Sequence, residues 1–401
     1  MTREDAGKHA TNQTQLAAGL AWEGALAGLG HGDAAARALA RLHGRVPWRE
    51  VVAELQRLHL GPLFHLGLHA FPALRARVPD PVAETLRRGA HAEAARITQL
   101  ERACADVVTA AAAAGIPVLL LKGLALEKLL YPSAAARPMD DVDLLVADGD
   151  RDRLAAILHG WGYRNDLRGE EDFYVPGSAY SIDLHTRLVN ATRIPARQGL
   201  WSVSFEDLWE RSQTIMLAGV PVRTLGPHDT LMHLVIHTVH HHGLGGMLWM
   251  VDLLAGLRTW LLSPGDAIDA PPAVRRSLWY CLEVLASRGQ DPVPEVRAAV
   301  RPGRLLPGER RLLAAIGHGD VPEAVRYAFT LICLPHWRMR AAFLRQLLFP
   351  AASIYTKDFA DAGGSAPGWI THWQMALSLG RQGLRAVSGG WAGTRRSVSC
   401  E

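Results

Sequence analysis

The chain has 401 residues, 49% of them apolar, and a formal net charge of +4, which is enough hydrophobe for two or three packed cores and too much for a disordered chain. Positive charge gathers late, with 17 Lys or Arg against 9 Asp or Glu from Pro271 onward, but no stripe interleaves aromatic with basic side chains, so a solvated helical surface is favoured over a nucleic-acid surface. Cys104, Cys281, Cys333 and Cys400 lack metal-ligand or disulfide-scaffold spacing, no basic-then-apolar segment follows Met1, and the apolar run 107–121 is broken by Gly115 and Pro117; these features point to reduced thiols in a cytoplasmic protein without a membrane anchor.

In chain order, residues 16–29 and 34–42 are Ala- and Leu-rich and read as helices, and 48–60 carries Val51, Leu55 and Leu58 at helical spacing. A long helix follows, with Ile97, Leu100, Cys104, Val107 and Ala111 on one face and Gly115 then Pro117 as its stop. Residues 118–121 form an apolar run of strand length that ends at Lys122-Gly123 and passes into a helix over 124–131. After Pro132 and Pro138, a strand is predicted over 141–146, and Asp148 is expected to cap a helix through His159. Residues 173–175 and 180–184 read as strands joined through Pro176-Gly177. After Pro227 the pattern is helical to about Val387, with 249–260 strongly apolar, and a Gly- and Ser-rich tail begins at Ser388. The division expected is a helical region 1–95, an α/β core 96–225, a helical domain 226–387 and a loose tail 388–401.

The polar exceptions in this core fall at strand ends or on one strand face: Lys122, Asp141, Asp143, Asp183 and His185. Strand side chains alternate, so Asp141 and Asp143 project from the same face while Val142 points into a core. Two carboxylates that close repel each other in a partly dry cleft, and a divalent cation is the usual remedy; hard oxygen ligands favour Mg²⁺ or Mn²⁺. An Asp-x-Asp pair alone matches by chance, and its position between a Lys-Gly turn and a third strand aspartate is what gives it weight.

The run Val118-Leu119-Leu120-Leu121-Lys122-Gly123, then Tyr131, Arg137, Asp141-Val142-Asp143-Leu144-Leu145-Val146 and Ile182-Asp183-Leu184-His185, resembles the uncharacterised nucleotidyltransferase family of the DNA polymerase β superfamily. The segment 227–254, with His233, His237, Trp249 and Asp252, and the later Leu347-Leu348-Phe349-Pro350, are similar to the helical part that follows the core in that family. The resemblance implies an α+β fold, a small mixed β-sheet core flanked by N-terminal and C-terminal α-helical regions. It implies that Asp141, Asp143 and Asp183 are catalytic carboxylates binding two metal ions. Lys122, Gly123, Arg137 and His185 would be nucleotide-binding, with Lys122 and the N–H groups opening the next helix replacing the superfamily's usual Gly-Ser contact. The implied reaction moves a nucleoside monophosphate from a nucleoside triphosphate, ATP foremost, to a hydroxyl or phosphate acceptor on a small molecule, peptide or protein, with release of pyrophosphate.

Two rivals belong to other classes. His228, Asp229, His233, His237 and the run His240-His241-His242 fall on one predicted helix, where His233/His237 and His237/His241 share a face; this suits a metal-dependent phosphohydrolase of the His-Asp type, although no matching upstream His and downstream Asp is evident. A non-catalytic nucleotide-binding module is the other, and it is disfavoured because all three candidate carboxylates are retained.

Overall fold

The computed structural model describes residues 3–349 apart from 43–45, 135, 166–171, 179, 307, 317–320 and 322; Cys400, the predicted tail and the end of the predicted C-terminal helical region lie outside the described residues. Two compact units emerge, one from the described residues up to 165 with 172–186 and 205–226, the other from 187–204 and 227–349.

The first unit holds a mixed seven-stranded sheet. Its strands are β1 (Leu119–Leu120), β2 (Asp141–Leu145), β3 (Arg164–Asn165), β4 (Asp172–Tyr174), β5 (Ser181–His185), β6 (Gln213–Leu217) and β7 (Val220–Thr224), in the order β3-β4-β5-β2-β1-β7-β6. β2 runs parallel to β5, and β1 runs parallel to β7 and antiparallel to β2. The α+β expectation holds. One face is apolar because alternate residues of each strand are: Val142, Leu144, Ile182, Leu184 and Val222 join Ile97, Leu100, Cys104 and Val107 of the helix Asp80–Ala113 and Leu154 and Leu158 of the helix Arg151–Gly160 in one buried core. That leaves the odd-numbered residues of β2 and β5 for the opposite face.

Several boundaries differ from expectation. The predicted strand 118–121 shrinks to two residues, and the helix after it starts at Lys122, not at 124. Lys122 itself has a φ of +41°, so the turn is made by a lysine in the left-handed region before glycine is reached. Asp148 opens a 3₁₀ turn, and the α-helix begins at Arg151 without a side-chain cap. The hairpin β6–β7 escaped the sequence reading, although Ala218-Gly219, both with positive φ, forms a two-residue connection between alternating strands. Ahead of the sheet, the helices Arg3–Gly28 and Gly61–Ala70 approach so closely that a Cβ on Gly28 would lie 1.9 Å from the Leu63 carbonyl oxygen.

The second unit is helical among its described residues. The predicted His-rich helix ends at His240, so His241 and His242 lie beyond it. His240 is fully buried, with Nε2 2.8 Å from Ser277 Oγ and Nδ1 3.0 Å from Thr330 Oγ1; burial, with the Arg197 charge, holds its pKa well below the usual value. Glu309 is buried against the Arg276 guanidinium and the Tyr280 hydroxyl. Cys104, Cys281 and Cys333 are buried free thiols. No helix among the described residues is long and apolar enough to cross a membrane.

Leu144, wholly buried on the reverse face of the strand that carries Asp141 and Asp143, is expected to cost about 2–5 kcal/mol when changed to Ala. The corresponding fall in Tm or in urea midpoint checks it.

Candidate functional site

Strand register builds the site. In the parallel pair β2–β5, Asp143 lies opposite Asp183, Asp141 opposite Ser181 and Leu145 opposite His185. In the antiparallel pair β4–β5, Asp172 lies opposite Asp183. Asp172, Asp183 and Asp143 therefore form a row across three neighbouring strands, spaced by the ~4.8 Å between strands, and Asp141 stands two residues along on the same face.

Charge on this row is unevenly shared. Lys122 Nζ donates to Asp143 Oδ1 at 2.6 Å, and His185 Nε2 donates to the same oxygen at 2.8 Å. Burial alone would raise the Asp143 carboxyl; the Lys122 ammonium and the His185 hydrogen bond outweigh it and hold the group well below the usual carboxylate range. Burial would likewise lower Lys122, but the Asp143 charge and hydrogen bond reverse the direction and raise it. Asp141 is raised, first by burial and then by the Asp143 charge, against the pull of Lys122 and Arg137. Asp183 is pushed up to about 8 by burial and by the charges of Asp143 and Asp141. Asp143 is thus firmly ionised, while Asp183 and Asp141 beside it are driven toward neutrality.

The loop before β2 is clamped from the long helix. Glu93 Oε1 accepts from the Met139 N–H at 3.2 Å, and Arg96 pairs with both Glu93 and the exposed Asp140. Arg137 is buried, and its charge is felt at Asp141. Gly123 sits beside it: a Cβ there would lie 3.0 Å from Met139 Sδ and 3.7 Å from Arg137 Nη1, so a larger side chain would crowd the approach between the helix start and the guanidinium.

The seven residues singled out in the sequence thus share one region of the first unit, with two differences of detail. The group of three ligand atoms lying within 4.8 Å of one another is Asp143, Asp183 and His185; Asp141 is not a member of it. Lys122, expected at phosphate, is engaged with Asp143. A fourth carboxylate, Asp172, was missed; the signal available was its place at the head of the strand that pairs with the Asp183 strand. The residues fit a divalent cation: Asp183 Oδ1 and Asp172 Oδ1 are buried without a hydrogen-bond partner among the described residues, and oxygen donors crowded on one face suit a hard ion. The histidines of the second unit do not converge in this way. His237 Nε2 and His242 Nε2 are 2.9 Å apart and His242 stacks on Trp249, but no three ligand atoms meet there among the described residues.

A buried acid whose pKa is raised in the fold makes the folded protein less stable as pH climbs from its unfolded value through its folded one, here from 3.8 to about 8 for Asp183. Asp183→Asn is therefore expected to raise the Tm of the metal-free protein at pH 9 by several degrees and by clearly less at pH 5, where only the first part of that interval has been crossed. Scanning calorimetry at the two pH values reads the difference.

No curated protein and no solved structure matches the chain. A family model described as an uncharacterised nucleotidyltransferase matches residues 36–280, a span that includes Lys122, Asp141, Asp143, Asp183 and His185. That match covers more than half of the sequence and agrees with the acidic row on the polar face of the sheet; the chain belongs to the uncharacterised nucleotidyltransferase family.

Proposed function

We propose that this protein is a metal-dependent nucleotidyltransferase that moves a nucleoside monophosphate from a triphosphate, with ATP the first to test, to a hydroxyl or phosphate acceptor, and that residues 96–225 are its catalytic core. The observation that carries the reading is the convergence of Asp143, Asp183 and His185 within 4.8 Å, with Asp141 on the same face and cations at its border. Asp141, Asp143 and Asp183 would hold Mg²⁺ or Mn²⁺, whose chemistry when bound is to neutralise charge on the attacking and departing oxygens and to ease ionisation of the attacking hydroxyl.

The remaining residues have definable tasks. His185 fixes the orientation of the Asp143 carboxylate through its 2.8 Å hydrogen bond. Lys122, Arg137 and the N–H groups at Gly123 and beyond, at the start of the helix Lys122–Leu130, form a cationic edge for the triphosphate. Asp183, facing Asp143 from the neighbouring strand, would stand nearest the acceptor hydroxyl and help to receive its proton. A small molecule, a peptide or a protein is the favoured acceptor, since the basic C-terminal part lacks the aromatic interleaving of a nucleic-acid surface. The buried free thiols suit a cytoplasmic setting. The His-Asp phosphohydrolase alternative is less favoured, because His237, His241 and His242 lie ring against ring without three ligand atoms meeting among the described residues.

With α-labelled nucleoside triphosphates and Mg²⁺, label is expected to pass to an acceptor or to the protein as pyrophosphate appears, and chelation should stop it. Asp141→Asn and Asp183→Asn are expected to reduce the rate by at least about a thousandfold with the fold retained by circular dichroism. Asp143 is a poorer test, because its removal also strands the buried Lys122 charge and destabilises the protein. Phosphoester cleavage without a triphosphate, or full activity in both variants, would overturn the assignment.

A further inference from the structure

We infer that Lys122 couples cation binding to triphosphate binding by occupying Asp143 until a nucleotide draws it away. The inference rests on the nucleotidyltransferase reading above and concerns the order in which that site fills.

Lys122 Nζ lies 2.6 Å from Asp143 Oδ1, the oxygen that also accepts from His185. Asp143 belongs to the group of three residues whose ligand atoms converge, so the ammonium already sits on a carboxylate that a cation would use. An ammonium and a divalent ion on one carboxylate are like charges a few ångströms apart in a poorly solvated cleft, and their repulsion is large at any plausible local dielectric. A cation can therefore enter only as Lys122 leaves. Leaving is unfavourable by itself, because the lysine side chain is 16% exposed and its charge needs another anion. Asp141 and Asp183 are poor substitutes, since the incoming cation draws on the same carboxylates. A triphosphate arriving with the cation supplies the missing anion, beside the start of the helix that Lys122 itself opens.

The backbone adds to this. A non-glycine residue at φ +41° is held in an uncommon, less favoured conformation, with its side chain reaching Asp143. The consequence is positive heterotropic coupling: the cation alone binds weakly, the triphosphate alone binds weakly, and each strengthens the other by the same factor.

Mn²⁺ binding to the full-length, metal-free chain, followed by the loss of its free-ion electron paramagnetic resonance signal, tests the inference without any turnover. For the unaltered chain, after subtraction of the Mn²⁺ held by the nucleotide in a protein-free control, a non-hydrolysable α,β-methylene ATP is expected to tighten Mn²⁺ binding on the order of tenfold or more, within the usual range of coupling between sites. Lys122→Met and, in parallel, Lys122→Gln should bind Mn²⁺ alone more tightly than the unaltered chain by a similar factor and should gain clearly less from the analogue than the unaltered chain does. Lys122→Arg, which keeps the charge, should retain weak binding alone. Circular dichroism confirms that each variant is folded. Neutral variants that bind Mn²⁺ alone no better than the unaltered chain overturn the role of Lys122 while leaving the enzyme assignment standing. Absence of Mn²⁺ binding in every protein, with and without the analogue, overturns the metal-dependent reading itself.

Discussion

Like charges brought together by strand register are the constraint on which this structure turns. A parallel pair of strands with aspartate at matched positions, flanked by an antiparallel strand that adds a third, places Asp172, Asp183 and Asp143 in one row. Such a row is tolerable only if charge is shared out unequally. The Lys122 ammonium and the His185 ring settle on a single oxygen of Asp143, and the cost of burial is met at Asp183 and Asp141 by a shift toward the neutral acid. The asymmetry puts one residue type into two states within one site, an anchored anion at Asp143 and carboxyls held toward the neutral acid at Asp183 and Asp141.

The apolar side of the sheet makes this possible. Val142, Leu144, Ile182 and Leu184 are locked against the helices Asp80–Ala113 and Arg151–Gly160, so a slip of one residue along either strand would bury aspartates and expose that core. The same long helix works twice. Its Ile97 to Ala111 face closes the core, and in the turn just before it Glu93 and Arg96 grip residues 139 and 140, fixing where β2 begins.

Much of this was legible in the sequence because period two writes function and core into alternate letters. Asp-Val-Asp-Leu-Leu-Val and Ile-Asp-Leu-His each specify a strand, a buried face and a polar face at once, and the helices 80–113 and 247–260 declare themselves by length and apolar spacing. Other parts depended on contacts that no local pattern encodes. The pairing of Lys122 with Asp143 spans 21 residues, and a lysine next to glycine reads equally well as a phosphate contact. Asp172 heads a strand of three residues, too short for alternation to be seen. The hairpin β6–β7 was overlooked although its Ala-Gly connection and its Ile215, Leu217 and Val222 alternation were present. His240 stands in a run of histidines beside the His237/His241 pair that has ligand spacing, and only packing against Ser277 and Thr330 reveals a neutral, structural ring.

The two-residue strand β1 has a further meaning. It is hydrogen-bonded on both sides, to β2 in one direction and to β7 in the other, and Lys122 follows it after a single intervening residue whose N–H is bonded to the Asp143 carbonyl. There is consequently no slack between the middle of the sheet and the ammonium. Evolution could lengthen or trim the segments at either margin of the sheet with little effect on the centre, whereas one residue gained or lost between positions 119 and 121 would turn Lys122 to the wrong side and separate it from its carboxylate.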